Sequence, residues 1–390
     1  MINDLCVAIP IIGSKFWLGG VSYIELLIKA INSLPRVERP QLYMVVSDRT
    51  LEFYDLHSHF VHLYDGIFYV GDDISAAKQK VNGQPLIQFS SYDELYQHID
   101  FCYPILSNVY PHRPAASWIP DFQHRHLPEF FSKEEYIARE TRFARIADEA
   151  RMVVLSSYDA EKDYRQFYPN SCAVTKVLPF YAFPQEQWYE GNPVSIQEFY
   201  QLPDKFLICC NQFWIHKNHK RLFESIAILR RQGRDVYLVC TGSTSDYRAA
   251  AYFDDLKRYL KELNIEDLVH ILGLIPRENQ VQLIRRSAAV VQPSLFEGWS
   301  TVVEDCRVLG KTMILSDLPV NIEQNPDHSF YFNRTDAADL AKKITEVWHA
   351  EAPGPNIERE AQAKEKAASF VENFARRFSD IVLISKQVFG

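Results

Sequence analysis

The densest chemistry in this sequence lies in the stretch Pro293-Ser294-Leu295-Phe296-Glu297-Gly298-Trp299-Ser300-Thr301-Val302-Val303-Glu304-Asp305. An apolar run ends just before it and a helical pattern begins inside it, so it reads as strand end, loop and helix start. Gly298 lets the backbone come close to a ligand, and the amides that open a helix at Ser300 and Thr301 lack intrahelical partners, which makes an anion site. Thr301 and Glu304 have the spacing of a capping box, so Glu304 has a local role in satisfying the Thr301 backbone. Glu297 and Asp305 have no such role. A carboxylate beside an anion site repels phosphate but accepts strong hydrogen bonds from hydroxyls, and the two together suggest a sugar nucleotide. The alternative is an ordinary strand-to-helix turn with a surface acid.

Two other groupings look chemical and read otherwise. Asp55, His57, Ser58, His59 and His62 imitate a metal cluster but lack a distant second ligand set, so a polar loop is expected there. The seven cysteines, Cys6, Cys102, Cys172, Cys209, Cys210, Cys240 and Cys306, form no CxxC pair and several sit in apolar runs. They are expected to be small core residues, not disulfides or metal ligands.

The elements that must hold the first motif are legible around it. Short apolar runs at 206–210, 236–240, 268–272, 288–292, 312–315 and 329–332 alternate with amphipathic stretches, the pattern of strands buried on both faces of a parallel sheet. Leu222, Ile226 and Leu229 mark a crossover helix with Asn218 as its expected N-cap and Gly233 past its end. Tyr252, Leu256, Leu260 and Leu263 mark the next. The first half opens with a strand over 5–11, then Gly13, Gly19 and Gly20 and a helical pattern over 23–34. Runs at 41–46, 67–71 and 152–156 extend it, while 51–130 is aromatic and irregular. The polar stretch 184–204, with Gly191-Asn192-Pro193, reads as the linker. The expected organisation is a Rossmann-like domain over 1–190, a second over 191–366 and a closing helix over 367–390. Two such doubly wound α/β domains present the carboxyl ends of their sheets across a cleft, where ligands bind.

The 390 residues suit two domains, and 47% hydrophobic with 13% aromatic residues excludes disorder. Forty-two basic against fifty acidic residues give a net charge of −8, which disfavours nucleic acid. The chain shows neither an apolar run of membrane-spanning length nor a basic secretory start, so a cytoplasmic protein is expected.

The segment from Glu297 to Asp305 resembles the donor motif of retaining GT-B glycosyltransferases of family 4, in which two acids eight residues apart bracket a glycine turn. Here the second acid is Asp305, with Glu304 beside it as the alternative, and Gly310 with the strand 312–315 continues the pattern. The resemblance implies that Glu297 contacts the transferred sugar and Asp305 the ribose hydroxyls. It implies that amides of Gly298, Trp299, Ser300 and Thr301 hold sugar and phosphate. Asn211-Gln212-Phe213-Trp214-Ile215-His216-Lys217-Asn218 is similar to the family's second donor loop, with Lys217 balancing the diphosphate. Gln212 stands where relatives commonly have arginine, so one cation of the usual pair is missing. Gly19 and Gly20 match the glycine-rich loop of the first domain, and the stretch from Trp118 to Pro128 resembles the loop near the reacting centre. Pro120 replaces the usual histidine there, which leaves His124 as candidate for sugar or acceptor, with a plain surface histidine equally open.

The resemblance implies a hexosyltransferase that uses UDP-glucose, with GDP-mannose the nearest competitor. The acceptor is expected to be a glycan or lipid-linked hydroxyl in surface-polysaccharide assembly, with peripheral membrane contact compatible. No Asp-x-Asp metal anchor is present, so no metal or other cofactor is expected. The alternatives are a catalytically inactive sugar-nucleotide sensor, a two-domain sugar-binding protein and a nucleotide-sugar epimerase of similar shape.

Overall fold

The structure is a computed structural model that describes residues 1–14, 18–81, 83–107 and 109–390. The chain forms two compact units, each built on one parallel sheet. The first comprises Met1–Phe122, Ile137–Phe183 and Ser369–Gly390; the second comprises Gln123–Tyr136 and Pro184–Ala368.

The first unit carries eight strands: β1 (Cys6–Pro10), β2 (Gln41–Ser47), β3 (Gly66–Val70), β4 (Leu86–Phe89), β5 (Phe101–Ile105), β6 (Ala115–Ile119), β7 (Met152–Leu155) and β8 (Val174–Val177). Their order is β4-β3-β2-β1-β5-β6-β7-β8, all parallel, so the order reverses between β1 and β5. β1, β2, β3 and β7 fall on the apolar runs, as strands covered on both faces must. β4, β5, β6 and β8 were not visible in the sequence. Pro104 interrupts the apolar run of β5, whose pairing with β6 shifts register between Cys102 and Ile105, and β6 is built from alanine and serine as much as from large residues. Phe378, from the chain's last helix, lies within 5.9 Å of Tyr103 and 6.4 Å of Phe101 in this unit.

The second unit carries β9 (Leu207–Cys210), β10 (Leu238–Thr241), β11 (Val269–Gly273), β12 (Ala289–Gln292), β13 (Met313–Ser316) and β14 (Ser329–Phe332) in the order β11-β10-β9-β12-β13-β14, again all parallel. Each falls within two residues of its expected place. The core beneath is fully buried Leu207, Cys209, Leu222, Phe223, Ile226, Val291 and Ile314. The helix His219–Arg231 supplies three of these at helical spacing.

Several local expectations are corrected. The stretch 184–204 is helical at Glu186–Glu190 and Pro193–Phe199, because the Asn192 side chain caps the second helix and Pro193 suits its first position. Over residues 55–62 Asp55, Ser58, His59 and His62 are exposed, as a polar connection requires, but the stretch is not an irregular loop and His57 departs from the pattern. It forms two 3-10 turns, and His57 is wholly buried with Nε2 3.1 Å from the Ile12 carbonyl. Cys172 is exposed, unlike the other cysteines. No group of His, Cys, Asp or Glu among the described residues could hold a metal ion, and no described helix is long and apolar enough to cross a membrane.

Candidate functional site

β9 and β12 are hydrogen-bonded neighbours whose chain connections leave in opposite directions, so the crevice beyond their carboxyl ends is the switch point of the second sheet. Ligands bind to open α/β sheets at such a point. The two loops that carry the sequence motifs, 211–218 after β9 and 293–300 after β12, both leave from it.

A short polar ladder fixes the two loops to each other. Buried Asn211 donates to Gln292 Oε1 at 2.7 Å, and Gln292 Nε2 donates to Glu297 Oε1 at 3.0 Å and Ser300 Oγ at 3.1 Å. Lys217 Nζ reaches the same Glu297 oxygen at 2.6 Å, as does the Ser294 hydroxyl at 2.6 Å. Three donors therefore converge on one carboxylate oxygen whose side chain is 8% exposed. Lys217 and Glu297, eighty residues apart in sequence, form one charged unit at the switch point. Two further bonds reinforce the joint: Leu295 N donates to His216 O at 2.7 Å, and the Asn218 side-chain Nδ2 donates to Pro293 O at 3.0 Å. Gln212 is exposed beside this ladder. Gly242 closes the neighbouring strand end at φ +137°, and a side chain there would meet the Asn211 carbonyl.

The helix start differs in detail from the expected capping box. The cap is Ser300, whose hydroxyl accepts from Val303 N at 3.4 Å, and Thr301 is the first helical residue. Glu304 does not reach back; it is buried and binds Arg307 at 2.9 Å and the Gln324 amide at 2.8 Å. Burial raises its pKa while Arg307 opposes that rise. Nor is the Ser300 amide available, since it donates to Gln324 Oε1 at 3.2 Å. With the amides of Ser300 and Val303 occupied, Thr301 and Val302 are the first-turn donors left among the described residues. Asn218 also departs from expectation: it precedes its helix in a left-handed conformation, φ 58°, and its side chain braces Pro293 and Arg334 instead of capping.

Asp305 is buried in the second turn of the same helix, and its Oδ1 accepts from Arg277 Nη2 at 2.5 Å. Burial pushes the Asp305 carboxyl above its usual range, with Arg277 pulling it back. Arg277 was missed in the sequence. A cation in the first turn of a helix opposes the helix dipole, and this was the available signal that it has a specific partner. Gln292 and Gln324 were missed as well; a polar residue ending an apolar strand was the mark of Gln292.

His124 is not a surface histidine. It is fully buried in the helical turn Gln123–His126, its ring edge-on to Tyr136 at 5.4 Å and Phe131 at 6.4 Å. This segment belongs to the second unit, and its His126 ring lies 5.3 Å from Phe296 of the donor motif. Gly19 and Gly20 lie in the first turn of the helix Leu18–Ser33, not in a loop; residues 15–17 before them are outside the described ones. Gly298 and Trp299 are half-buried at the turn itself, and Thr301 is exposed.

Comparison with known proteins fits this geometry. Residues 196–370 match the family described as "Glycosyl transferases group 1". None of the curated proteins matches the sequence. Among solved structures, HepE (Alr3699) of Anabaena, seen with UDP and glucose, is similar at 16% identity and TM-score 0.61, over 99% of this chain and 98% of its own. A glycosyltransferase of Rickettsia africae ESF-5 is similar at 13% identity and TM-score 0.64, over 99% of each chain. WaaG, a glycosyltransferase involved in lipopolysaccharide biosynthesis, is similar at 13% and TM-score 0.58, over 96% of this chain and 99% of its own. At such identities the likeness establishes the fold. Residues 196–370 thus match the glycosyl transferases group 1 family, within a chain whose two parallel-sheet α/β units share the fold of GT-B glycosyltransferase structures.

Proposed function

We propose that the protein is a retaining glycosyltransferase of family 4 that moves a hexose from a nucleoside diphosphate sugar, UDP-glucose first, to a hydroxyl of a glycan or lipid-linked acceptor. The observation that carries this reading is the convergence of Lys217, Glu297 and the helix start at Thr301 on the switch point of a group 1 domain. HepE, seen with UDP and glucose, supports the choice of donor, and WaaG supports a polysaccharide acceptor.

Lys217 is the mobile cation of the site. Its partner Glu297 is also held by Ser294 and Gln292, so Lys217 can turn toward a diphosphate while two donors still satisfy the carboxylate. Glu297, fixed by them, then accepts hydrogen bonds from sugar hydroxyls. Amides of Thr301 and Val302 and the Lys217 ammonium stabilise charge that grows on the leaving phosphate, a term realised chiefly in the transition state. With these groups the diphosphate needs no divalent ion. Substitution on one face of the sugar, with the leaving diphosphate taking the acceptor proton, retains the anomeric configuration. His124, buried beside the donor motif, orders the segment that carries His126 and Phe131 against the transferred sugar. The protein works in the cytoplasm, at the inner face of the membrane when its acceptor is lipid-linked.

The test is release of UDP from UDP-glucose in EDTA, followed by chromatography. Slow hydrolysis that accelerates with a glycan acceptor, and a product with the donor's anomeric configuration by NMR, is the expected result. Binding without turnover would leave a sensor, and an isomerised sugar nucleotide without free UDP would mean an epimerase.

A further inference from the structure

The loop that follows β10 carries a buried cation that the proposed reaction does not use. Arg248 has a side chain only 8% exposed, and its guanidinium lies 4.9 Å over the Trp214 ring, 5.5 Å over Phe131 and 5.6 Å over Tyr247. Its Nε donates to Asp246 Oδ1 at 3.3 Å, and its backbone amide donates to the same oxygen at 3.0 Å. The loop is tied to its neighbour without it: Trp214 Nε1 donates to Ser245 O at 3.3 Å, and Phe213 N to Ser243 O at 2.9 Å. A guanidinium has five N–H groups. Among the described residues Arg248 bonds through Nε, which leaves both Nη groups for another partner.

Arg248 lines a cavity of about 500 Å³, a volume that suits a small molecule. Its other walls are Glu129, Phe130 and Glu135 from the segment 123–136, His216 from the loop after β9, and Tyr247, all in the second unit. Charge decides which ligand fits. Glu129, Glu135 and Asp246 stand against the one guanidinium, so a phosphate or carboxylate would meet a surplus of negative charge. A neutral sugar meets none, because its hydroxyls donate to carboxylates and accept from a guanidinium. Tyr247 is 71% exposed and offers a ring face to the apolar side of a sugar. Glu135 holds the Ser132 amide through Oε2 at 3.1 Å and keeps Oε1 for a ligand.

The cavity also stands beside the donor motif on two sides. Ile215 and His216 in its wall immediately precede Lys217, which bonds Glu297. The wall 129–135 continues the segment whose His126 ring lies 5.3 Å from Phe296. An acceptor hydroxyl must come within about 3–3.5 Å of the carbon it attacks, and a cavity flanked by both segments adjoins that point. We propose that this cavity is an acceptor subsite for a neutral hexose ring, stacked on Tyr247, with the Arg248 Nη groups donating to its hydroxyl oxygens and Glu129 and Glu135 accepting from its hydroxyls. The acceptor is then a glycan that presents an uncharged sugar to the second unit. The inference rests on the proposed glycosyltransferase function.

The experiment titrates methyl β-glucoside, cellobiose and glucose 6-phosphate into wild type, Tyr247→Ala and Arg248→Gln by saturation-transfer difference NMR, with UDP and EDTA present. Calorimetric titration of UDP and GDP runs beside it. Wild type is expected to bind cellobiose and methyl β-glucoside, and to bind glucose 6-phosphate more weakly than either. Tyr247→Ala should weaken cellobiose about three- to tenfold, the worth of one stacked ring. Arg248→Gln should weaken it about ten- to a hundredfold, the loss of a charged hydrogen bond. UDP affinity is expected to stay within about twofold of wild type in both. Tyr247→Ala, which removes an exposed ring, carries the test if Arg248→Gln does not fold. No saccharide binding by a wild type that binds UDP, tighter binding of glucose 6-phosphate than of methyl β-glucoside, or unchanged cellobiose affinity in Tyr247→Ala would each overturn the subsite. If wild type binds neither UDP nor GDP, the glycosyltransferase function itself fails, and the acceptor role with it, even where the saccharides bind.

Discussion

The two sheets of this chain reverse their strand order in the same way, yet their switch points are furnished with opposite chemistry. Between β9 and β12 the side chains are charged and amide-bearing: Lys217 on Glu297, Arg277 on Asp305, Asn211 on Gln292. Around β1 and β5 they are aromatic. Tyr23 stacks on Trp118 at 4.2 Å and shares a 2.5 Å hydroxyl contact with Tyr103, all three buried. The same topology therefore does not impose the same work. The second switch point carries charged and amide side chains beside unpaired helix-start amides, and the described aromatic residues around the first pack as a core.

The comparison can be broken by substitution. Lys217→Ala is expected to reduce donor turnover about ten- to a hundredfold or more, since it removes one charge-assisted contact to the leaving group. A fall of less than twofold in steady-state kinetics would remove Lys217 from the chemistry. His124→Ala should lower stability by about 2 kcal/mol, as truncation of a buried ring, and reduce turnover as well; unchanged turnover in the folded variant would take it out of the site. Tyr23→Phe, the counterpart at the aromatic switch point, should lower stability by about 1 kcal/mol and leave turnover within about threefold. A larger loss of turnover than in Lys217→Ala would erase the distinction between the two sheets.

The smallest effect is shared by both units. His57 in the first is held down to a pKa of about 4 and His219 in the second to about 3, each mainly by burial, against an ordinary value of 6.5. Between 6.5 and those values the unfolded chain holds protons that the folded chain does not, so stability falls as the pH falls through that window. Urea unfolding at pH 7 and pH 5 checks the sign. His57→Gln and His219→Gln should each flatten the slope, and a slope unchanged in both would contradict it.

How much of this was legible follows from where each element gets its stability. The second sheet's strands are continuous apolar runs, and its two motif loops leave from strand ends, so Glu297 and Asp305 stood out as acids without a capping role, and Lys217 was named by the family resemblance. β5 and β6 were hidden because Pro104 and small residues break their pattern; only neighbouring strands complete them. The finer site was hidden for another reason. Whether Thr301 or Ser300 caps the helix turns on Gln324, which occupies the Ser300 amide and draws Glu304 away. Arg277 finds Asp305 only once β11 and β12 lie in one sheet. Spacing and resemblance name the candidate groups, and tertiary contacts decide their partners.

The most direct measurement of the central claim is calorimetric binding of UDP, GDP and ADP and their glucose or mannose conjugates, in EDTA, to wild type and to Asp305→Ala. The account predicts selective micromolar binding of one nucleotide, UDP first, weakened at least tenfold by the substitution. Binding of none of them, or equal binding by the wild type and Asp305→Ala, would contradict it.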